Sequence, residues 1–260
     1  MGTRLGETSK VYQSIFVTVV LLFVVLEIEA QKTVVLRPAL GMHIPFSHVV
    51  DRTLAESSFS SYWSIAPQFA IDLQYSWSPK NSLSIGYQAS ALDVGYQYAK
   101  PQQGFVTKTL SSRYLMVFPI GYSRYLFDGH WFPIKAKLSD YYVINFSFNL
   151  NFGLSYCYLP LTTGDNILQT RSFGDSQVRE QILSRDNLAI FFGFTVQFQR
   201  KSRNTIQLSF VYSKGFVRQL EQSVDYRVDS PNYDYRALTG SRGSYAALQI
   251  GYPICIWSGK

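Results

Sequence analysis

Few residues in this 260-residue chain have types that could do chemistry, and they are scattered. Three histidines, His43, His48 and His130, are the natural places to look for metal ligation or acid–base work. His43 and His48 fall near one loop region and His130 toward the opposite rim of the topology developed below, so a site shared by all three is not expected. Ordinary interfacial or loop histidines are the simpler reading. A hydrolase needs a serine, a histidine and an acid at one height; His43 with a serine of a neighbouring strand meets part of that need, but no spacing selects the serine. No catalytic residue, no metal ligand set and no cofactor is assigned.

Two other groups could act through charge. Arg37 and Asp72 fall on the inward faces of the first two candidate strands and could form an ion pair within the interior. Asp225, Tyr226, Asp229, Tyr233, Asp234 and Tyr235 make a Tyr-Asp stretch that could meet a glycan, a protein or a cation, although its acids do not follow the Gly-containing spacing of a calcium loop. Cys157 and Cys255 are the only cysteines, and neither strand adjacency nor height favours pairing them.

The elements that must carry these groups are long alternating segments. In 190–198, Ile190, Phe192, Phe194, Val196 and Phe198 share one face, opposite Gly193, Thr195 and Gln197. Arg200, Lys201, Ser202, Arg203 and Asn204 interrupt the pattern, and Ile206, Leu208, Phe210 and Tyr212 resume it, which reads as a β-hairpin. The same alternation appears in 34–44, 65–77, 83–91, 113–125, 142–156 and 243–257. Near Leu92–Val94 the phase becomes ambiguous and suggests a bulge or a strand end. Asp128-Gly129 is a turn signal, and 126–141 fits no single element.

Eight such segments predict an all-β chain, an eight-stranded antiparallel up-and-down transmembrane β-barrel. The connections at 78–82, 126–141 and 200–204 read as short turns; 45–61, 97–110, 159–187 and 214–242 read as long loops. Lipid offers no partner to backbone N–H and C=O groups, so a spanning sheet has to satisfy them internally. An eight-stranded interior is too narrow for a wide pore.

Export is expected as well. Arg4 and Lys10 precede an apolar run over 15–26, and Ala30 precedes Gln31, which reads as a signal peptide over 1–30 with cleavage after Ala30, leaving 31–260 as the barrel domain. Removing two basic and three acidic residues moves the formal charge from +7 to +8. The basic residues are dispersed, with no nucleic-acid motif, so nucleic acid is not an expected partner. Lipid phosphates at the strand ends are.

The Ala30-Gln31 junction, the eight alternating segments and the stretch 115–125 with its central Pro119 resemble the small outer-membrane β-barrel proteins of the Bacteroidota type, within the broader OmpA/OmpW-like group. The resemblance covers 31–257 and implies an outer-membrane location in a Gram-negative envelope. The chain departs from the usual terminal aromatic, because Ser258, Gly259 and Lys260 follow Trp257.

Together these features predict a monomeric, non-enzymatic barrel in contact with outer-membrane lipid, with an envelope structural role or a surface interaction with an extracellular glycan or protein. Binding or passage of a small apolar ligand and a lipid-modifying hydrolase stay open as alternatives. So does a secreted β-sandwich or lipocalin-like barrel with its apolar face inside.

Overall fold

The computed structural model describes residues 32–54, 59–62, 64–100, 105–131, 144–160, 168–173, 176–200, 203–227 and 235–259. The expected signal peptide lies outside them. Among the described residues thirteen strands form: β1 (Thr33–Leu54), β2 (Ser60–Tyr62), β3 (Ala66–Ser78), β4 (Asn81–Lys100), β5 (Phe105–Trp131), β6 (Ile144–Tyr158), β7 (Leu168–Phe173), β8 (Ser176–Ile182), β9 (Asp186–Arg200), β10 (Arg203–Gly215), β11 (Leu220–Tyr226), β12 (Tyr235–Gly251) and β13 (Ile254–Ser258).

All belong to one sheet in the order β13-β1-β3-β4-β5-β6-β9-β10-β12-β11-β8-β7, with β2 on β4 and a further β1–β12 pairing. The expected eight-stranded up-and-down barrel is therefore incorrect. Its last strand, expected to run unbroken over 243–257, stops at Gly251, where Tyr252 N donates to Pro38 O at 3.1 Å and Pro253 has no N–H to offer. Beyond that break, β13 pairs β1 through Thr33–Leu36 and has no second partner among the described residues, while β10 meets β12 only from Gln207↔Gly251 to Ser213↔Tyr245. A ring of eight is thus not closed along its whole length.

The remaining extra strands come from stretches that read as loops. β1 runs on into the first expected loop as far as Leu54, and β4 and β5 pair as far as Lys100↔Phe105. The two longest expected loops hold β7, β8, β11 and the start of β12. Short polar segments become strands here because β12 offers an edge: above Ser241, β11 takes the side of β12 that β10 has left, β8 pairs β11, and β7 pairs β8.

Two local expectations also change. No bulge occurs at Leu92–Val94; the β4–β5 register is continuous from Asn81↔Arg124 to Lys100↔Phe105. The alternation is ambiguous in the sequence because the inner face changes chemistry there, from Ser82, Gln88 and Ser90 to Leu92, Val94, Tyr96 and Tyr98, all buried. Asp128-Gly129 does not turn but stays paired with Ser147 and Phe146. A Cβ on Gly129 would fall 2.2 Å from Phe146 Cζ, so the glycine makes room for a ring across the strand.

Burial is inverted over the lower part of the sheet. Leu40, Met42, Phe69, Phe152, Phe192, Leu248 and Ile250 stand exposed on the convex face, with Leu40 at 69%. The concave face buries Arg37, Gln68, Gln88, Thr195, Gln207 and Gln249. Stacked Phe148, Phe194 and Phe210 continue the convex belt across β6, β9 and β10 at ring spacings of 5.5 Å.

Candidate functional site

Polar side chains from many strands converge in the concave interior, and its alternation is set by the strand period of two. It is layered along its length. At the end carrying the Ser78–Asn81 turn, a polar vestibule of about 400 Å³ is lined by Gln74, Ser76, Asn81, Ser123, Asn149 and Gln197, among others. The turn itself is held by Ser78 Oγ, which accepts from Asn81 N at 3.0 Å.

Deeper in lies a cavity of about 60 Å³ bounded by Arg37, Asp72, Ser155, Phe191, Gln207 and Tyr245, among others. Arg37 and Asp72 are directly opposite each other in the β1–β3 ladder, and Arg37 Nη2 lies 3.9 Å from Asp72 Oδ2. Contact at that distance is long for a hydrogen bond, so the pair is mainly coulombic. Beside it, Gln249 Nε2 donates to Gln68 Oε1, Gln68 Nε2 donates to Gln88 Oε1, and Tyr245 OH donates to Gln88 Oε1, each at 3.0 Å. This chain ties β12, β3 and β4 together with mutually satisfied buried amides.

His43 comes next. Its Nε2 lies 2.9 Å from Ala91 O, which fixes that nitrogen as the donor, because a carbonyl only accepts. Ser90 Oγ is 3.1 Å from Nε2 and 3.3 Å from Nδ1, nearly equidistant, and so lies off the lone-pair direction of either nitrogen. Asp93 accepts from Ser64. Ser90 is thus the serine that sequence spacing could not select, but serine and histidine are both buried, at 5% and 0% exposure, without the aligned relay that activates a nucleophile.

Above His43 the interior becomes apolar and full. Leu92 and Val94 of β4, Leu115 and Val117 of β5, Cys157, Leu159, Ile182, Ala189 and Leu220 pack together, each 8% exposed or less. A charged network follows within the mouth. Glu180 of β8 accepts from Arg113 Nη2 at 2.6 Å and Nε at 2.8 Å, from Gln222 Nε2 at 3.0 Å, and from Ser111. Burial pushes the Glu180 carboxyl upward, but Ser111, Gln222 and Arg113 outweigh it and hold the group below its ordinary range. Outermost is an aromatic layer of Phe59, Tyr96, Tyr98 and Tyr226 with Val178, Val224 and Ala237. β8 and β11 thus form a cap folded across to β4 and β5, closing the interior at this end.

The Tyr-Asp stretch is divided by this cap. Asp225 sits on β11, opposite Arg236 of β12, and accepts from Arg236 Nε at 2.5 Å. Tyr226 is fully buried and stacks on Tyr235 at 5.5 Å. Neither Asp225 nor Tyr226 stands free to meet an outside partner; Asp229, Tyr233 and Asp234 lie outside the described residues. The histidines are dispersed: His48 pairs with Gly240 in the β1–β12 ladder, and His130 pairs with Asn145 in the β5–β6 ladder. Cys157 is buried and Cys255 is exposed on β13, both as free thiols. No group of three or more His, Cys, Asp or Glu able to hold a metal occurs among the described residues.

Sequence reasoning missed the Arg113–Glu180 latch. Ser176, Val178, Glu180 and Ile182 do alternate with Gln177, Arg179 and Gln181, which was the available strand signal. Its seven residues sit among polar neighbours and read as loop.

No family model matches the chain, and no curated protein matches it. Among solved structures it is similar to the outer membrane protein OprG from Pseudomonas aeruginosa, with 10% identity over 87% of this chain and 97% of that one and a TM-score of 0.46. It is also similar to the N-terminal β-barrel domain of Pseudomonas aeruginosa OprF, with 9% identity over 86% and 100% of the two chains and a TM-score of 0.33. The translocator domain of the autotransporter NalP from Neisseria meningitidis has 9% identity over 95% and 97% and a TM-score of 0.22.

Proposed function

We propose that the chain is an outer-membrane β-sheet protein that conducts nothing and serves the envelope as a scaffold or surface contact. The observation that carries this reading is the inverted burial: large apolar side chains outside, amides and an ion pair inside. A secreted β-sandwich or lipocalin-like protein has the opposite arrangement. The narrower placement among Bacteroidota-type proteins of the OmpA/OmpW-like group is part of the same proposal and rests on the strand pattern, as export with cleavage after Ala30 rests on the sequence.

The interior argues for a non-conducting role. A vestibule leads to a small cavity and then to packed Leu, Val and Cys side chains, a charged latch and four aromatic rings. A polar solute entering from the vestibule meets an apolar wall, and an apolar one must first cross the polar layer. Passage through the interior and hydrolysis at Ser90 are both disfavoured by that order of layers.

Fractionation followed by planar-bilayer recording tests the reading. The expected result is recovery of the exported chain in the outer membrane, extraction only by detergent, and no steady conductance after insertion. Recovery as a soluble periplasmic or secreted protein overturns the membrane assignment; a steady ohmic conductance overturns the non-conducting role.

A further inference from the structure

We propose that Lys214 and Arg242, with Arg218 beside them, form a docking site for the headgroup of an acidic phospholipid at the cap-side rim of the apolar belt. The inference rests on the membrane reading above and names the lipid chemistry that one rim selects.

The site follows from two strand faces that change character at one height. Outward positions of β10 read Ile206, Leu208, Phe210, Tyr212, then Lys214, with Phe216 just past the strand; those of β12 read Ile250, Leu248, Ala246, Ser244, then Arg242. The β10–β12 register reaches Ser213↔Tyr245, and Gly215 N donates to Ser244 Oγ at 3.1 Å, so Lys214 and Arg242 are diagonal neighbours on the convex face. Such neighbours are about 7–8 Å apart, within reach of one phosphate for two long side chains. Both are exposed, and neither has an ion-pair partner among the described residues.

Asn187 fixes this geometry. Its Nδ2 donates to Arg242 O at 2.7 Å and Val217 O at 3.1 Å, and its Oδ1 accepts from Val217 N at 2.9 Å and Phe216 N at 3.2 Å. The turn that follows Lys214 is thereby clamped to the β12 backbone that carries Arg242. Arg218 also lies over β12: a Cβ on Gly240 would stand 2.9 Å from Arg218 Cδ. Glu221 pairs with Arg218, leaving two cations uncompensated. His48 of β1 pairs with Gly240 beside this rim, so β1 brings no carboxylate there at that position.

The flanking aromatics select a lipid over a dissolved anion. Phe46, Tyr212 and Phe216 are 38%, 40% and 53% exposed, and the Phe46 and Tyr212 rings are 6.0 Å apart. Exposed rings at the end of an apolar belt suit the boundary between acyl chains and headgroups. A soluble phosphate makes no use of them.

Binding of the detergent-purified full chain to phosphatidylglycerol and phosphatidylcholine, followed by native mass spectrometry, tests the site. Phosphatidylglycerol is expected to bind more tightly, with about a five-fold loss for each of Lys214→Gln and Arg242→Gln, the weight of roughly one cation at an anionic surface. Arg236→Gln, a change to an exposed cation paired with Asp225 in the cap, is expected to leave binding unchanged, and Lys214→Arg with Arg242→Lys to retain it. Equal binding of the two lipids, or phosphatidylglycerol binding insensitive to the double Gln variant in a chain with wild-type circular dichroism, overturns the site. Equal competition by inorganic phosphate and phosphatidylglycerol headgroup overturns the lipid assignment. A chain that stays soluble without detergent defeats the membrane reading itself, a failure distinct from the other three.

Discussion

Arg113 Nη2 lies 2.6 Å from Glu180 Oε1, joining β5 to β8 across the mouth of the sheet. The two residues are 67 positions apart, and both side chains are nearly shut off from solvent, at 11% and 4% exposure. A fork of two guanidinium donors on one carboxylate oxygen fixes direction as well as distance.

Breaking this latch is expected to release the cap. Arg113→Met leaves a buried carboxylate without its cation, a change that costs about 3–5 kcal/mol. Hydrogen exchange is expected to rise in β8 and β11 while β9 and β10 stay protected; uniform protection in the variant contradicts the latch. Acid acts on the same link. Because the folded-state pKa of Glu180 lies below its ordinary 4.5, the stabilisation is complete above that value and declines as pH falls through the folded pKa. Protection factors in the cap, corrected for the pH dependence of intrinsic exchange, are therefore expected to be flat from pH 7 to 5 and to fall below about pH 4.5 in the wild type, with that acid-dependent fall absent in Glu180→Gln.

Tight packing between β5 and β6 gives a second test. Gly121 and Gly153 are directly paired, and a Cβ on Gly153 would stand 2.1 Å from Ile120 O and 2.8 Å from the Phe191 ring. Backbone cannot yield as a side chain tip can. Gly153→Val is expected to destabilise the sheet by about 1–3 kcal/mol, read as a lower urea midpoint for refolding into detergent. An unchanged midpoint would show that β5 and β6 are further apart.

The convex face supplies a third. Leu248 is 52% exposed, in a region where a water-soluble protein gains from a charge. In lipid, Leu248→Arg is expected to cost about 2–4 kcal/mol near the bilayer midplane and to lower the yield of folded protein in vesicles. Improved solubility without detergent would identify the face as water-exposed.

Thiol accessibility separates the two ends of the fold. Cys255 is exposed on β13, and Cys157 of β6 is buried within the apolar layer beneath the cap. A maleimide reagent at neutral pH is expected to modify Cys255 alone in the folded protein and both cysteines after denaturation. Rapid labelling of Cys157 in the Cys255→Ser variant would mean that the apolar layer is open.

Sequence alone determined the all-β class and the two faces of the long strands, because side chains alternate across a strand whatever its neighbours are. Ile190, Phe192 and Phe194 against Gly193 and Thr195 could be read that way without coordinates, and so could the inward positions of Arg37 and Asp72. Tertiary structure decided what the connections become. Ser176–Ile182 and Leu220–Tyr226 are too short and too polar to declare themselves as strands, and they form because β12 outlasts β10 and leaves an edge that must be paired. It also decided that Tyr226 faces a buried aromatic layer, that Glu180 meets Arg113, and that β13, past Pro253, pairs β1 alone among the described residues. Alternation is a property of each residue and its next neighbour; pairing partners and closure depend on where distant strands end, which no local pattern records.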